Sequence, residues 1–142
     1  MGPTLQIVFD ANDVLRLVAF WERALIGYQK QPPPPGFATW EDFARDRGIP
    51  EDRCGWGALI DAEGKRPRIF FQRVPEGKTA KNRVHLDVNV GGELKGDERT
   101  ARVKEEAGRI EALGATRQRE AAERGEFWIV MQDPEGNEFC LQ

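Results

Sequence analysis

Two hydrophobic periods alternate along this chain. From Leu5 to Ala11 the period is two, with Ile7 and Phe9 on one face and Gln6, Val8 and Asp10 on the other, which predicts an opening strand. Asn12 or Asp13 then caps a helix over residues 13–26, where Val14, Leu17, Val18, Trp21, Ala24 and Leu25 recur at helical spacing and Gly27 supplies the stop. The period of two returns at Trp56–Ile60 and Arg68–Arg73, joined by the turn Asp61-Ala62-Glu63-Gly64-Lys65. It returns again from Arg83 to Val90, with Val84, Leu86, Val88 and Val90 on one face and His85, Asp87 and Asn89 on the other. A second helix follows over 97–113, with Val103, Ala107, Ile110 and Leu113 as its stripe and Gly114 as its stop. Thr116–Arg119, Glu126–Gln132 and Glu138–Gln142 complete the strands.

The pattern repeats. Trp56-x4-Asp61-Ala62-Glu63-Gly64 is echoed by Trp128-x4-Asp133-Pro134-Glu135-Gly136, and each copy leads into an apolar strand ending in Gln72 or Gln142. A long-period repeat predicts two copies of one supersecondary unit, each a strand, a helix and three strands. Module one covers residues 4–74, the polar stretch Pro75–Lys81 links the modules, and module two covers 82–142 of a single domain. Residues 31–55 have no counterpart in the second half and read as an insertion. Pro32–Pro35 forms a stiff extended piece, Thr39 caps a short helix through Trp40, Phe43 and Ala44, and Gly48 and Pro50 close it. Its aromatics Phe37, Trp40 and Phe43 either cover a pocket, meet a partner subunit or pack onto their own core.

Composition adds exclusions. The 142 residues hold no serine, which rules out a serine nucleophile among them, and the net charge of −3 argues against nucleic-acid binding. No apolar run spans a bilayer, no signal peptide is visible at Met1–Thr4, and two cysteines, Cys54 and Cys140, suit a reducing cytoplasm.

Paired βαβββ modules, each with an Asp-x-Glu-Gly turn, resemble the vicinal oxygen chelate superfamily of glyoxalases, extradiol dioxygenases and the bleomycin- and fosfomycin-resistance proteins. The likeness is carried by Gln6-Ile7-Val8-Phe9-Asp10-Ala11-Asn12-Asp13, Phe20-Trp21, Leu25-Ile26-Gly27, His85-Leu86-Asp87-Val88 and Asp133-Pro134-Glu135-Gly136-Asn137-Glu138-Phe139. It implies an α+β fold whose mixed sheet curls into a cup, and a homodimer. In metal-dependent members the first and last strand of each module each supply a ligand. By position those would be Gln6, a residue between Arg66 and Arg68, His85 and Glu138. Gln6, His85 and Glu138 are chemically able to bind a divalent ion such as Zn, Ni, Fe or Mn. An arginine is not, because it has only donors and a permanent charge. A bound ion and no cofactor at all both stay open, with the arginine weighing against the ion.

Three readings of the site follow. Glu138 and His85 are the catalytic candidates of a lyase, isomerase or dioxygenase-like metalloenzyme. Cys140, on the same strand face as Glu138, is either a thiolate nucleophile beside His85 or a small buried thiol. Alternatively Arg68, Gln6, Phe70, Trp56, Trp128 and Cys140 wall a cup that binds a small oxygenated or anionic molecule without chemistry, as drug- or antibiotic-sequestering resistance proteins do.

Overall fold

The computed structural model describes residues 2–50 and 56–142. The chain divides into two compact units, one ending at Gly77 and the other running Lys78–Gln142. Unit one contains β1 (Gln6–Ala11), α1 (Val14–Ala24), β2 (Tyr28–Lys30), α2 (Trp40–Asp46), β3 (Trp56–Asp61) and β4 (Arg68–Arg73). Unit two contains β5 (Leu86–Val88), α3 (Gly96–Glu111), β6 (Thr116–Glu123), β7 (Glu126–Gln132) and β8 (Glu138–Leu141). The sheets are ordered β1-β4-β3-β2 and β5-β8-β7-β6, the same topology twice. In each, the outer strand pairs parallel with the last strand of its unit and the remaining pairs are antiparallel. This is the α+β arrangement that the repeat predicts. Among the described residues, no helix is long and apolar enough to cross a membrane.

Each sheet buries one face under its helix. In unit one Val14, Leu17, Val18, Trp21 and Ala24 of α1 are buried together with Ala11, Leu59, Ile69 and Phe71 of the sheet. Phe9 lies 5.2 Å from the ring of Trp21 and 5.3 Å from that of Phe71, so strand and helix share one aromatic cluster. The cap is Asp13, which accepts from Arg16 N at 3.1 Å. In unit two Val103, Ala107 and Ile110 of α3 are buried along with Ile129, Met131, Phe139 and Leu141. The opposite faces, carrying Arg68 and Phe70 or Glu138 and Cys140, stay partly open.

A buried aspartate organises the turn before the last strand in both units. Asp61 accepts from Lys65 N at 2.8 Å and Arg66 N at 3.0 Å, and pairs with the Arg66 guanidinium at 2.6 Å. Asp133 accepts from Glu135 N at 2.9 Å, from Asn137 N at 3.0 Å and from the Asn137 side-chain amide at 2.9 Å. Gly64 and Gly136 follow with φ of 68° and 86°, conformations that a β-carbon penalises. The Arg66 guanidinium beside Asp61 holds its carboxyl well below the usual carboxylate range.

Several boundaries differ from the sequence pattern. Strand β2 was hidden because it has three residues, two of them polar. Strand β5 covers Leu86–Val88 instead of Arg83–Val90, because its only sheet neighbour, β8, begins at Glu138; Val84 consequently lies 83% exposed. Strand β6 runs on to Glu123, where Arg124 (φ 54°) and Gly125 (φ 80°) form a two-residue hairpin turn with both centres left-handed. The insertion helix α2 forms as read, with Thr39 accepting from Asp42 N at 3.0 Å.

Asp133→Ala removes three accepted hydrogen bonds at a site only 3% exposed and leaves backbone donors unpaired. The expected loss is about 3 kcal/mol of unfolding free energy, read from urea denaturation; a loss below about 1 kcal/mol means that water replaces the carboxylate and the turn does not depend on it.

Candidate functional site

Register decides which residues of the two units correspond. Gln6 of β1 stands opposite Arg68 of β4. In unit two Leu86 stands opposite Phe139, so His85 and Glu138, each one residue earlier, are the matching pair. Trp56 pairs with Gln72, and the β7–β8 register carried one step past Ile129 and Leu141 sets Trp128 against Gln142. The position equivalent to Glu138 is therefore Arg68, and the turn of unit one is two residues longer. Arg66, the other candidate from sequence, is engaged with Asp61 and with the carbonyl of Ile26 at 3.1 Å.

In unit one Arg68 is fixed by neutral oxygens. Its Nη1 donates to Gln6 Oε1 at 2.6 Å and its Nε to Gln31 Oε1 at 2.7 Å, while its guanidinium carbon lies 5.3 Å from the Phe70 ring centroid. Among the described residues no carboxylate forms an ion pair with it. The cation is oriented but not neutralised, which is the arrangement that receives an anion. Gln31 belongs to the insertion, and no sequence signal linked it to Arg68.

Unit two gathers His85, Trp128, Glu138 and Cys140 around a cleft of about 420 Å³, with Lys81, Asp87 and Arg119 also in its wall. Glu138 takes its partners through one oxygen, Oε2. It accepts from Asn82 N at 2.9 Å and pairs with Lys78 Nζ at 3.2 Å. Burial pushes its carboxyl up, but the Asn82 N–H and the Lys78 ammonium outweigh it, and the pKa falls from 4.5 to about 2. His85 Nδ1 lies 3.0 Å from Asp87 Oδ1. The Cys140 thiol is pushed up by burial and by the Asp87 carboxylate to which it donates, with Arg119 and Lys81 opposing weakly. Both effects favour the protonated thiol, and its partner is Asp87.

The insertion aromatics pack on one another, Phe37 and Trp40 each edge-on to Phe43 at 5.3 and 5.6 Å, and Trp40 Nε1 donates to Gln31 O at 2.8 Å. Trp40 also lines a second cavity, of about 440 Å³, with Leu15, Val18 and Ala58. The side chain of Trp56 lies outside the described residues.

The superfamily's metal pattern does not fit this donor set. Arg68 has no lone pair to give, and Oε2 of Glu138 already takes both Lys78 and Asn82.

The model of a family described as a glyoxalase-like domain matches residues 6–142. Among solved structures, the chain is similar to a glyoxalase/bleomycin resistance protein/dioxygenase family enzyme from Burkholderia phytofirmans (16% identity, 96% of this chain and 94% of that one, TM-score 0.61). It is similar to a mutant form of the fosfomycin resistance protein FosX of Listeria monocytogenes, complexed with Mn(II) and 1S,2S-dihydroxypropylphosphonic acid (16%, 100% and 90%, TM-score 0.63). A third neighbour is a lactoylglutathione lyase from Agrobacterium tumefaciens (14%, 99% and 92%, TM-score 0.57). At these identities the likeness shows the fold. A search of curated proteins finds no match.

Because the folded pKa of Glu138 is depressed, its contribution to stability is fully present above pH 4.5 and is lost as pH falls toward about 2. The stability difference between the native chain and Glu138→Gln is expected to be constant above pH 4.5 and to shrink below it. Urea denaturation across that range checks this; a difference that widens in acid contradicts the Lys78 pairing.

Proposed function

The chain belongs to the glyoxalase-like domain family, and we propose that it binds a small oxygenated anion, a phosphonate, phosphate or carboxylate, through Arg68. The carrying observation is a guanidinium positioned by Gln6 and Gln31 with no carboxylate partner among the described residues. Its Nη2 group and its net charge are left for a ligand oxygen. Phe70 beneath the guanidinium gives the site one apolar wall. FosX, which shares the fold, is complexed in its structure with a phosphonic acid. The low basicity of Glu138 favours binding, of the kind a drug- or antibiotic-sequestering protein performs, over lyase, isomerase or dioxygenase chemistry at Glu138 and His85.

We propose further that the protein works as a homodimer in a reducing cytoplasm, with Cys140 a free thiol. Leu5 and Leu15 are 82% and 80% exposed, apolar side chains that a second copy would cover. Light scattering at micromolar concentration should give twice the mass of the 16.1 kDa chain; the mass of one chain refutes the dimer.

Titration calorimetry with methylphosphonate, inorganic phosphate and acetate tests the anion site. Arg68→Ala is expected to weaken binding by about 10- to 150-fold, the equivalent of one charge-assisted hydrogen bond of about 1.5–3 kcal/mol. Arg68→Glu should abolish it. Equal affinity in the native chain and Arg68→Ala overturns the proposal.

A further inference from the structure

We propose that His85, Asp87 and Cys140 form a binding site for one divalent transition ion of the zinc class. The three side chains come together for a reason of sheet geometry. Asp87 and Cys140 are directly opposed in the parallel β5–β8 pair, and His85, two residues before Asp87, projects from the same face. One ligand atom from each, a nitrogen, a carboxylate oxygen and a sulfur, lies within 4.8 Å of the other two. Such a mixed set selects a borderline ion and excludes magnesium and calcium, which demand oxygen ligands.

Asp87 is the shared partner at the centre of this cluster. It accepts from the ring N–H of His85 at 3.0 Å and from the Cys140 thiol. A divalent cation would take the place of these two protons, drawing the sulfur into its thiolate form, with Arg119 and Lys81 supporting that negative charge. The His85 and Asp87 side chains are 42% and 47% exposed, so an ion reaches them from solvent. All three residues line the cleft, and three protein ligands would leave a four-coordinate ion one position for a water or small molecule. The set shares His85 with the superfamily's pattern but replaces Gln6 and Glu138, and it lies wholly within unit two. It stands or falls independently of Arg68.

Metal-free full-length chain is titrated with Co²⁺, then with Zn²⁺. The expected result is one equivalent of Co²⁺ bound with a thiolate-to-cobalt charge-transfer absorption that Zn²⁺ displaces. His85→Ala and Cys140→Ser should remove that band and weaken Zn²⁺ by more than about 100-fold, beyond the range for loss of an outer-shell partner. Glu138→Gln and Cys54→Ser should retain the band. His85 is exposed, so its substitution leaves the fold intact and is decisive if the cysteine variant is unstable. The proposal is overturned by the absence of stoichiometric binding, by a band that survives Cys140→Ser, or by binding that needs Glu138 and not Cys140.

Discussion

Everything at the open faces depends on two buried carboxylates. Asp61 and Asp133 are 7% and 3% exposed, and each collects backbone N–H groups from the turn that delivers the last strand of its unit. A turn closed in this way fixes where the following strand begins. Once it begins, parallel pairing with the outer strand sets Gln6 opposite Arg68 and His85 beside Glu138. The unit-one turn accommodates two further residues because Arg66 adds its own side chain to the Asp61 carboxylate. The extra length changes the spacing from glycine to strand, not the register of the strand itself.

The two units use this common frame for opposite electrostatics. In unit one the equivalent position carries a cation held by amide oxygens, which orient it without cancelling its charge. In unit two it carries a carboxylate whose charge is matched by Lys78 and an N–H of Asn82. Within unit one, an arginine at this position has no lone pair to offer a metal. It is a good basis for recognising an anion. Further along the same strands of unit two, Asp87 and Cys140 come together with His85.

The sequence by itself determined the architecture. The Trp-x4-Asp-x-Glu-Gly repeat, the stripes of Val14 to Ala24 and Val103 to Ile110, and the alternation of Glu138 to Leu141 are local regularities, and burial follows them directly. Local pattern also carried Arg68 to the face of Gln6, and Cys140 to that of Glu138, since alternate residues of a strand share a side. Tertiary structure alone decided which partners those side chains take. Gln31 reaches Arg68 across 37 residues and Asn82 reaches Glu138 across 56, from an insertion and from the irregular start of module two, neither with a periodicity to read. The choice between Arg66 and Arg68 likewise turned on the burial of Asp61, which claims one guanidinium and so leaves the other for the site. Hydrophobic period is written into neighbouring residues; charge compensation is settled by whichever distant group the folded chain brings within hydrogen-bond reach.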